Sequence, residues 1–461
     1  MASTYLTKTY SGNGNRNKGT ISVWCKFSRE QTSSDSTIFG AGNLGNDSDC
    51  TFLSVNGNGF GNVSTRQIIF ALRIGGGTVY NAVSNNLLRD VNAWYHIVVR
   101  WDTTLGTPNC DIYLNGEEVS YSANNWSSVS QNTNTYISST AQPHYIGRGA
   151  TNAMQNNYMD GCMSHLHYCD GYYYDASTFG STDATTGEWK INTSPSVSYG
   201  TNGFWFFKDD NTLTDQSPNS NAFSLGGGTL TKTEDCPSSV FATLNPLNAV
   251  YIASLSNGNT TLSGGNNGTD FSYIGSTLAA NSGKFYWEVK AADLAEIDQV
   301  GVALASSGFS NIGTSHGLQG TQYGGKGVQF SNGYKVGDGS GGAYMGGFST
   351  DDIMMVALDL DNTKITFGKN GQWSNGSGGA DQTYANSTAA FTNLTAGEYY
   401  MPAHAMRGSG GNTGISRYNF GNGYFATTAV SSAGTNASGN GIFEYDVPTG
   451  FTALSTKGLN L

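Results

Sequence analysis

Charged side chains are scarce in this sequence of 461 residues. Lys and Arg number 22 and Asp and Glu number 33, so the charged fraction is 12% and the formal net charge is −11. A globular protein usually has about 25% charged residues, so disorder driven by charge is not expected. The shortage of basic residues also argues against a nucleic-acid-binding protein, which needs a positive surface to contact phosphates.

Proline and long apolar runs are also scarce. The sequence has 8 Pro, and its 63 Gly follow no three-residue period, which excludes a collagen-like helix. The longest apolar runs, Phe204 to Phe207 and Ile353 to Leu358, are much shorter than the roughly 20 residues of a membrane helix. There are no sustained heptads, which excludes a coiled-coil shaft. We therefore expect no membrane insertion.

The cysteines indicate no metal site. All six lie before residue 237 and none forms a CxxC pair, so zinc is not expected. We expect most of them to be free, buried thiols, as in a protein made in a reducing cytoplasm. The first twenty residues lack the apolar segment of a secretory signal, which favours the same compartment. The six are Cys25, Cys50, Cys110, Cys162, Cys169 and Cys236.

Glycine and aromatic residues are abundant instead. The chain has 8 Trp, 26 Tyr and 22 Phe, and its Gly content is roughly twice the usual ~7%. Many rings, together with Gly, Asn and Ser, favour short strands joined by tight turns. The composition predicts an all-β fold with a sizeable core.

Alternating residues predict strands in the first half. From Trp94 to Asp102, the odd-numbered residues 95 to 101 are apolar and should face the core, whereas His96 and Arg100 share the opposite face. In residues 111 to 119, Asn115-Gly116 is the signal of a type I′ hairpin turn, because both turn positions need positive φ.

The second half has the same pattern. Lys284 to Lys290 alternates, with Phe285, Trp287 and Val289 inward, and residues 353 to 371 contain consecutive hairpins. Strands at this spacing predict antiparallel sandwiches. The predicted fold is all-β, with two antiparallel β-sandwich (jelly-roll, concanavalin-like) domains in tandem.

Three segments are predicted along the chain. Residues 1–180 should form the first sandwich, 181–249 a connecting segment packed on it, and 250–461 the second sandwich. The boundary lies just before a polar Gly- and Asn-rich run, residues 256–269, whose composition is typical of a loop or linker.

The order of several segments resembles two known families. The segments ISVWCKFS, WYHIVVRWD, IYLNGEEV, YIGRG and YMDGCMSHLHYCDG are similar, over residues 1 to 180, to LamG-like domains of the concanavalin class. The segments GKFYWEVK, VGVAL, DDIMMVALDLDNTKITFGKNGQW and YNFG resemble, over residues 283 to 421, a SPRY domain. The resemblance implies a LamG-like jelly roll followed by a SPRY-like domain.

A narrower resemblance links the two halves. FGSTDATTGEWK, SYGTNGFWF, CPSSVFATLNPLN and PTGFTALSTKGLNL are similar to segments of virion proteins of tailed bacteriophages, notably marine ones. Those proteins join the same two domain types and are usually called tail-fibre, appendage or structural proteins. The resemblance implies a virion surface protein that binds other virion proteins and a host-surface glycan or protein. A homo-oligomer is expected because virion sites are symmetric.

The sequence departs from many phage fibres at its start. The LamG-like pattern begins within the first twenty residues, with no separate anchoring segment or shaft before it. A chain that docks through a globular face is one explanation. Decoration of the capsid or tail, with no receptor role, is the other.

Aromatic residues on loops are the candidate ligand-binding residues. Tyr172, Tyr173 and Tyr174 follow a strand, Trp126 lies in a polar stretch, and Trp373 follows the turn at 370–371. Flat rings on loops can stack on sugar faces or anchor protein interfaces. The alternative is that each ring plugs the end of a sandwich.

Asp47 and Asp49 are the candidate metal ligands. The resemblance implies a LamG-like loop rim where Asp and carbonyl oxygens often hold calcium, a cation that prefers such oxygens. The alternative is an Asx-rich turn. His165 and His167 share one face of a strand, as in some metal sites, but no carboxylate or Cys has a suitable spacing. No cofactor is expected, and calcium is left open.

A glycoside hydrolase is the less favoured alternative, because the concanavalin-type fold also carries enzymes with two carboxylates across a sugar cleft. The nearest match to Glu-x-Asp-x-x-Glu is residues 296–301, which lacks the final Glu and lies in the SPRY-like half. The pairs at 117–118, 209–210 and 351–352 are adjacent, so on strands they would point to opposite faces. No catalytic residue is assigned, and the protein is predicted not to be an enzyme.

Overall fold

The regular secondary structure of the described residues is β-strand, with a few short 3-10 turns. The computed structural model describes residues 3–28, 36–56, 66–208, 213–251, 254–264, 271–306, 317–319, 324–337, 340–408 and 413–460. Within these ranges no α-helix forms, and no helix has the length and hydropathy needed to cross a membrane. The predicted all-β class is confirmed. The 3-10 turns are Trp126–Ser128, Ala176–Thr178, Gly317–Gln319, Tyr384–Asn386 and Gly458–Asn460.

The chain divides into two compact units, Met1–Lys232 and Thr233–Leu461. The division after Lys232 lies closer to the N-terminus than the boundary that was predicted from the sequence at 249/250. Phe241 and Leu244 belong to cores of the second unit, whereas Phe204, Phe206 and Phe223 belong to the core of the first. Apolar burial therefore assigns residues 233–249 to the second unit.

The first unit is an antiparallel sandwich. Its larger sheet has, in spatial order, β10 (Tyr121–Asn124), β6 (Thr78–Leu87), β5 (Gln67–Ile74), β4 (Cys50–Asn56), β3 (Ser36–Gly42), β11 (His144–Ile146), β1 (Tyr5–Lys8) and β16 (Ser224–Gly227). Its smaller sheet has β15 (Phe204–Phe206), β12 (Gly161–Asp170), β2 (Lys18–Phe27), β7 (Tyr95–Asp102), β8 (Asn109–Leu114) and β9 (Glu117–Glu118). β13 (Gly180–Thr182) and β14 (Trp189–Ile191) form a separate hairpin.

The alternation read from the sequence sets the core of the first unit. Ile97, Val99 and Trp101 are fully buried between the two sheets, as predicted. Asn115 and Gly116 have φ of 50° and 85°, which confirms the hairpin turn after β8. All six cysteines lie in the described residues, and no disulfide is formed among them.

The second unit is also a sandwich. One sheet has β17 (Leu244–Val250), β20 (Ser272–Ser276), β30 (Tyr400–Arg407), β22 (Ile297–Leu304), β23 (Lys326–Gln329), β24 (Tyr334–Gly337) and β25 (Ser340–Ala343). The other has β18 (Ser254–Ser256), β19 (Thr261–Gly264), β31 (Gly414–Asn419), β21 (Lys284–Asp293), β26 (Ile353–Asp359), β27 (Lys364–Lys369), β28 (Gln372–Ser374) and β29 (Ala380–Gln382). β34 (Thr452–Ala453) pairs in parallel with β21, and β32 (Tyr424–Phe425) pairs with β33 (Thr428–Ala429).

Part of the polar run interpreted as a loop or linker is a hairpin. β18 pairs with β19 across a turn in which Asn257 and Asn259 have positive φ, and β19 then pairs with β31. Asn and Gly tolerate the left-handed region, so a polar sequence can close a tight hairpin. Residues 265–269 of the run lie outside the described residues.

Both units cover the outer face of a sheet with a later segment of chain. In the first unit, Phe179 and Tyr199 pack on outward-facing Val98. In the second, Phe443 and Phe451 pack in one cluster with outward-facing Tyr286. Positions that alternate away from the core, such as Val98 and Tyr286, are therefore also buried.

Candidate functional site

The predicted tyrosines lie at the end of β12, on the outer side of the smaller sheet of the first unit. Gly171, with φ of 84°, turns the chain after Asp170 and returns it across the neighbouring strands. The rings of Tyr172 and Tyr174 stack at 5.7 Å between centroids, with 10° between their planes. Tyr172 is 41% exposed, whereas Tyr174 is partly buried. We call Tyr172 and Tyr174 the tyrosine pair.

The hydroxyl of Thr20 fixes the backbone of the tyrosine pair. Thr20 Oγ1 donates to the carbonyl of Tyr172 and accepts from the backbone N–H of Tyr174, both at 2.8 Å. The Tyr174 hydroxyl in turn accepts from the N–H of Ser198 at 2.9 Å. Thr20 itself is fully buried on β2. The pair is thus held before any ligand arrives, which lowers the ordering cost of binding.

Tyr173 points the other way, into a charged cluster. Its ring lies 4.4 Å from the guanidinium carbon of Arg100, and its hydroxyl donates to Asp111 Oδ2. Arg100 also contacts the ring of Tyr113 and pairs with Asp175 Oδ2 at 3.2 Å. Burial, followed by the hydrogen bond to Asp111, raises the pKa of the Tyr173 phenol, which therefore remains a neutral donor.

Strand register explains how residues far apart in sequence meet here. Cys169 on β12 pairs with Thr20 on β2, Thr20 with Arg100 on β7, and Arg100 with Asp111 on β8. The four form a row across the outer face of the sheet. The sequence pattern placed Arg100 on the outer face, but only the register brings Arg100 and Asp111 beside the tyrosines. Thr20 gave no signal in the sequence.

Trp126 and Trp373 are not surface rings, so the expectation that they bind a ligand is corrected. Trp126 is fully buried and stacks on Phe70 at 5.5 Å. Trp373 is 4% exposed and packs edge-on against Tyr384 at 5.0 Å. Both lie next to loops, but a large ring in a sandwich gains more from burial than from exposure.

Asp47 and Asp49 join neighbouring loops. Asp47 Oδ1 accepts from the N–H of Ala153, and Asp49 Oδ1 accepts from the N–H of Gly75 and from the hydroxyl of Tyr136. The hydrogen bond from Tyr136 is the main cause of the lowered pKa of Asp49. In the described part of the chain, no three His, Cys, Asp or Glu come together to hold a metal. Both carboxylates therefore hold neighbouring loops together, and calcium binding at them stays a prediction.

The histidines on the outer face pack among rings. His96 lies between Trp24 and Trp189, accepts from the indole N–H of Trp189 at Nδ1, and contacts Ser22 Oγ at Nε2. Burial lowers the pKa of His96 to about 3, so it is neutral at physiological pH. His167 stacks on Trp205 at 4.8 Å and contacts the Tyr199 hydroxyl. His165 lies in a bulge of β12, where the register with β2 shifts, and its φ is 48°.

The carboxylate nearest to a hydrolase pattern is buried. Asp298 is fully buried between the sheets of the second unit, where its Oδ1 lies 2.5 Å from His404 Nε2. Glu296, by contrast, lies at the surface. Asp351 and Asp352 pair with Lys290 and Lys369. The pair at 209–210 lies outside the described residues.

Residues 2–172 match the family model of the concanavalin A-like lectin/glucanases superfamily, Laminin_G_3. The described fold of these residues agrees, so the first unit contains a concanavalin A-like domain. No curated protein matches the chain.

Several solved structures are similar in fold. The SPRY domain of human HERC1 is 18% identical, with 38% of this chain and 96% of that chain covered and a TM-score of 0.30. The TRIM65 PSpry domain is 17% identical, with 39% and 91% covered and a TM-score of 0.28. The heptameric SAP-like pentraxin from Limulus polyphemus is 14% identical, with 45% and 90% covered and a TM-score of 0.28.

Proposed function

We propose that this chain is a non-enzymatic binding protein that recognises a glycan through the tyrosine pair. The observation that carries the proposal is the geometry of Tyr172: its ring is exposed, stacked on Tyr174 and fixed at the backbone by Thr20. Exposed rings held in this way offer a flat apolar face to the C–H face of a sugar. The match of residues 2–172 to a superfamily of lectins and glucanases favours a sugar as the ligand.

The biological setting we propose is the surface of a tailed bacteriophage. The chain would be a tail-fibre or appendage protein, made in the host cytoplasm, that attaches the virion to a host-surface glycan or protein. Support comes from the sequence resemblance to virion proteins that join LamG-like and SPRY-like domains. Other virion proteins and further copies of this chain are the proposed partners, with no cofactor, nucleic acid or membrane insertion.

The structural contacts of Asp298 and Asp111 support binding over hydrolysis. A glycosidase needs two carboxylates that face one sugar cleft. Asp298 is enclosed between sheets, and Asp111 is held by Arg100 and Tyr173. Asp298 and Asp111 are thus engaged in structural contacts. Hydrolysis of a host polysaccharide by the purified protein, abolished by substitution of one carboxylate pair, would overturn this part of the proposal.

The binding role is tested by a Tyr172→Ala variant. We expect the purified variant to bind host cells and immobilised host polysaccharide at least about tenfold more weakly, as for an exposed aromatic hot spot. Tyr334→Ala is the matched control, because Tyr334 is 45% exposed in the second unit. Near-UV circular dichroism checks that both variants remain folded. Equal binding by wild type and Tyr172→Ala contradicts the proposed site.

The virion setting is tested by locating the chain on intact particles with cryo-electron microscopy. A position at the tail tip or on a tail appendage supports attachment. A regular position on the capsid, together with no binding to host cells, would favour the decoration role.

A further inference from the structure

Three tyrosine rings surround the guanidinium of Arg148 on the larger sheet of the first unit. Tyr5 on β1 and Tyr145 on β11 each precede a core residue of their strand, so their side chains lie on the outer face of this sheet. The guanidinium carbon lies 4.6 Å from the ring centroid of Tyr5, 5.8 Å from that of Tyr145 and 5.7 Å from that of Tyr158. We call these four residues the arginine cage.

Backbone contacts hold the guanidinium in place within the cage. Arg148 pairs with Tyr158 in an antiparallel bridge. The N–H of the next residue, Gly149, donates to the carbonyl of Asn157 at 3.0 Å, which extends this pairing. Arg148 Nε donates to the carbonyl of Gln155 at 2.7 Å. Because the backbone and Nε are both fixed, a ligand of this guanidinium would bind with a smaller cost of side-chain ordering.

The two terminal nitrogens of Arg148 keep their donors for a ligand. In the described part of the chain, Nη1 and Nη2 make no hydrogen bond and pair with no carboxylate. The side chain is partly buried, and neither nitrogen is enclosed, so both reach solvent. Arg100 of the same unit, by contrast, pairs with Asp111 and Asp175. The charge of Arg148 is thus left unpaired within the described residues, in a chain whose formal net charge is −11.

We propose that the arginine cage is a second binding site, which takes the carboxylate or phosphate of an acidic glycan. The N–H groups of a guanidinium match two oxygens of either anion, and such charge-assisted hydrogen bonds are roughly twice as strong as neutral ones. Tyr5 and Tyr158 are partly exposed beside Arg148, and their rings offer an apolar contact to the C–H groups of the same sugar. The inference goes beyond the proposed function, because the cage lies on the larger sheet and the tyrosine pair on the smaller one.

The experiment uses an array of bacterial surface polysaccharides, with each acidic polymer printed beside its neutral form. Polymers of uronic acids are carboxyl-reduced, and polymers that carry phosphomonoesters are dephosphorylated. We expect the full-length protein to bind the acidic form at least about tenfold more tightly in one of the two series, as for a hydrogen bond to a charged group. The series that shows the preference identifies the anion. Added salt should reduce the preference, because it screens the charges.

Three variants assign the preference to Arg148. Arg148→Gln removes the cation and should abolish the preference for the acidic form while binding of the neutral form is retained. Arg148→Lys keeps the charge but not the planar fork, so it should restore the preference only in part. Arg16→Gln is the matched control and should leave the preference unchanged, because Arg16 also donates Nε to a carbonyl, that of Thr135, and lies 5.8 Å from the ring of Tyr136. Near-UV circular dichroism checks that all three remain folded.

The outcomes distinguish this inference from the proposed function. If wild type binds acidic and neutral forms equally, or if the preference survives in Arg148→Gln, the arginine cage is not an anion site, while the tyrosine pair is unaffected. If Tyr172→Ala binds as wild type but Arg148→Gln loses the preference, the cage stands and the tyrosine pair does not. If Arg148→Gln changes nothing on the array but abolishes self-association in sedimentation velocity, the anion is a carboxylate of a second copy and the inference is wrong.

Discussion

Glu288 and Asp170 are buried carboxylates that accept hydrogen bonds from uncharged donors. Glu288 accepts from the backbone N–H groups of Glu444 and Tyr445, from the Tyr286 hydroxyl and from Asn419 Nδ2. Asp170 likewise accepts from two backbone N–H groups and two hydroxyls. Each carboxylate ties distant segments of its unit together. Burial raises the pKa of both, and that of Glu288 reaches about 7.

The first prediction concerns the pH dependence set by Glu288. A folded pKa above the unfolded value of about 4.3 means that the folded state binds the proton more tightly. The contribution of Glu288 to stability is therefore full below about pH 4 and decreases as the pH rises through 7. Relative to Glu288→Gln, wild type should lose up to about 3 kcal/mol of unfolding free energy between pH 5 and pH 8. Denaturant unfolding of both proteins at four pH values measures this, and a pH-independent difference contradicts it.

The second prediction concerns Asp47 and calcium. Because Asp47 Oδ1 is used to anchor Ala153, we expect that neither millimolar calcium nor EDTA changes the Tm. Asp47→Ala should cost about 1 kcal/mol, the typical loss of one hydrogen bond, whereas Asp47→Asn keeps the acceptor and most of the stability. Thermal unfolding checks all three. A Tm that rises with calcium in wild type but not in Asp47→Asn would identify a calcium site instead.

At the scale of elements, one ring of the hairpin β13–β14, that of Trp189, packs on the smaller sheet of the first unit. The six-membered ring of Trp189 would lie 2.4 Å from a Cβ on Gly116, and its indole carbons 2.6 Å from a Cβ on Gly180. The indole N–H also donates to His96. Gly116 in the turn after β8 and Gly180 on the hairpin's own strand β13 therefore leave the space that the Trp189 ring occupies.

The third prediction tests the packing of the Trp189 ring with Gly180→Ala. The added methyl meets Trp189 and the backbone of Lys190, so overpacking should cost about 1–3 kcal/mol in denaturant unfolding. Gly106→Ala is the matched control, because a Cβ at Gly106 meets nothing within 4 Å and neither glycine has positive φ. Equal stability of the two variants would show that the hairpin does not depend on this contact.

Strands and turns could be predicted from the sequence. The later segments that cover the outer faces of the sheets could not. Alternation placed Ile97 and Trp287 in the cores, and the Asn115-Gly116 pair predicted the turn after β8. The same alternation could not show that Tyr286, on the outer face, is buried under a segment more than a hundred residues later, because a strand pattern carries no information on non-local packing. The tyrosines were found because they are adjacent in sequence. Thr20 was missed because its role depends on register between strands.

At the scale of the whole molecule, covered sheet faces explain the scarcity of charge. Outward positions of an antiparallel strand are usually polar and solvated. Here Val98, His167 and Tyr286 occupy such positions and are buried beneath later segments. Fewer exposed strand positions remain for Lys and Glu. The low charged fraction therefore follows from the later segments of each unit, which bury outer sheet faces that would otherwise carry charged residues.

The fourth prediction tests at which residue the second unit begins. The Val240 carbonyl accepts from the N–H of Thr456, and the Ala242 N–H donates to the carbonyl of Leu454. Leu244 is fully buried at the start of β17. A fragment of residues 233–461 should therefore unfold cooperatively. A fragment of residues 250–461 loses Phe241 and Leu244, and each such core deletion costs about 2–5 kcal/mol, so it should be strongly destabilised or fail to fold. Denaturant unfolding of both fragments followed by tryptophan fluorescence measures the difference, and equal stability would return the boundary to 249/250.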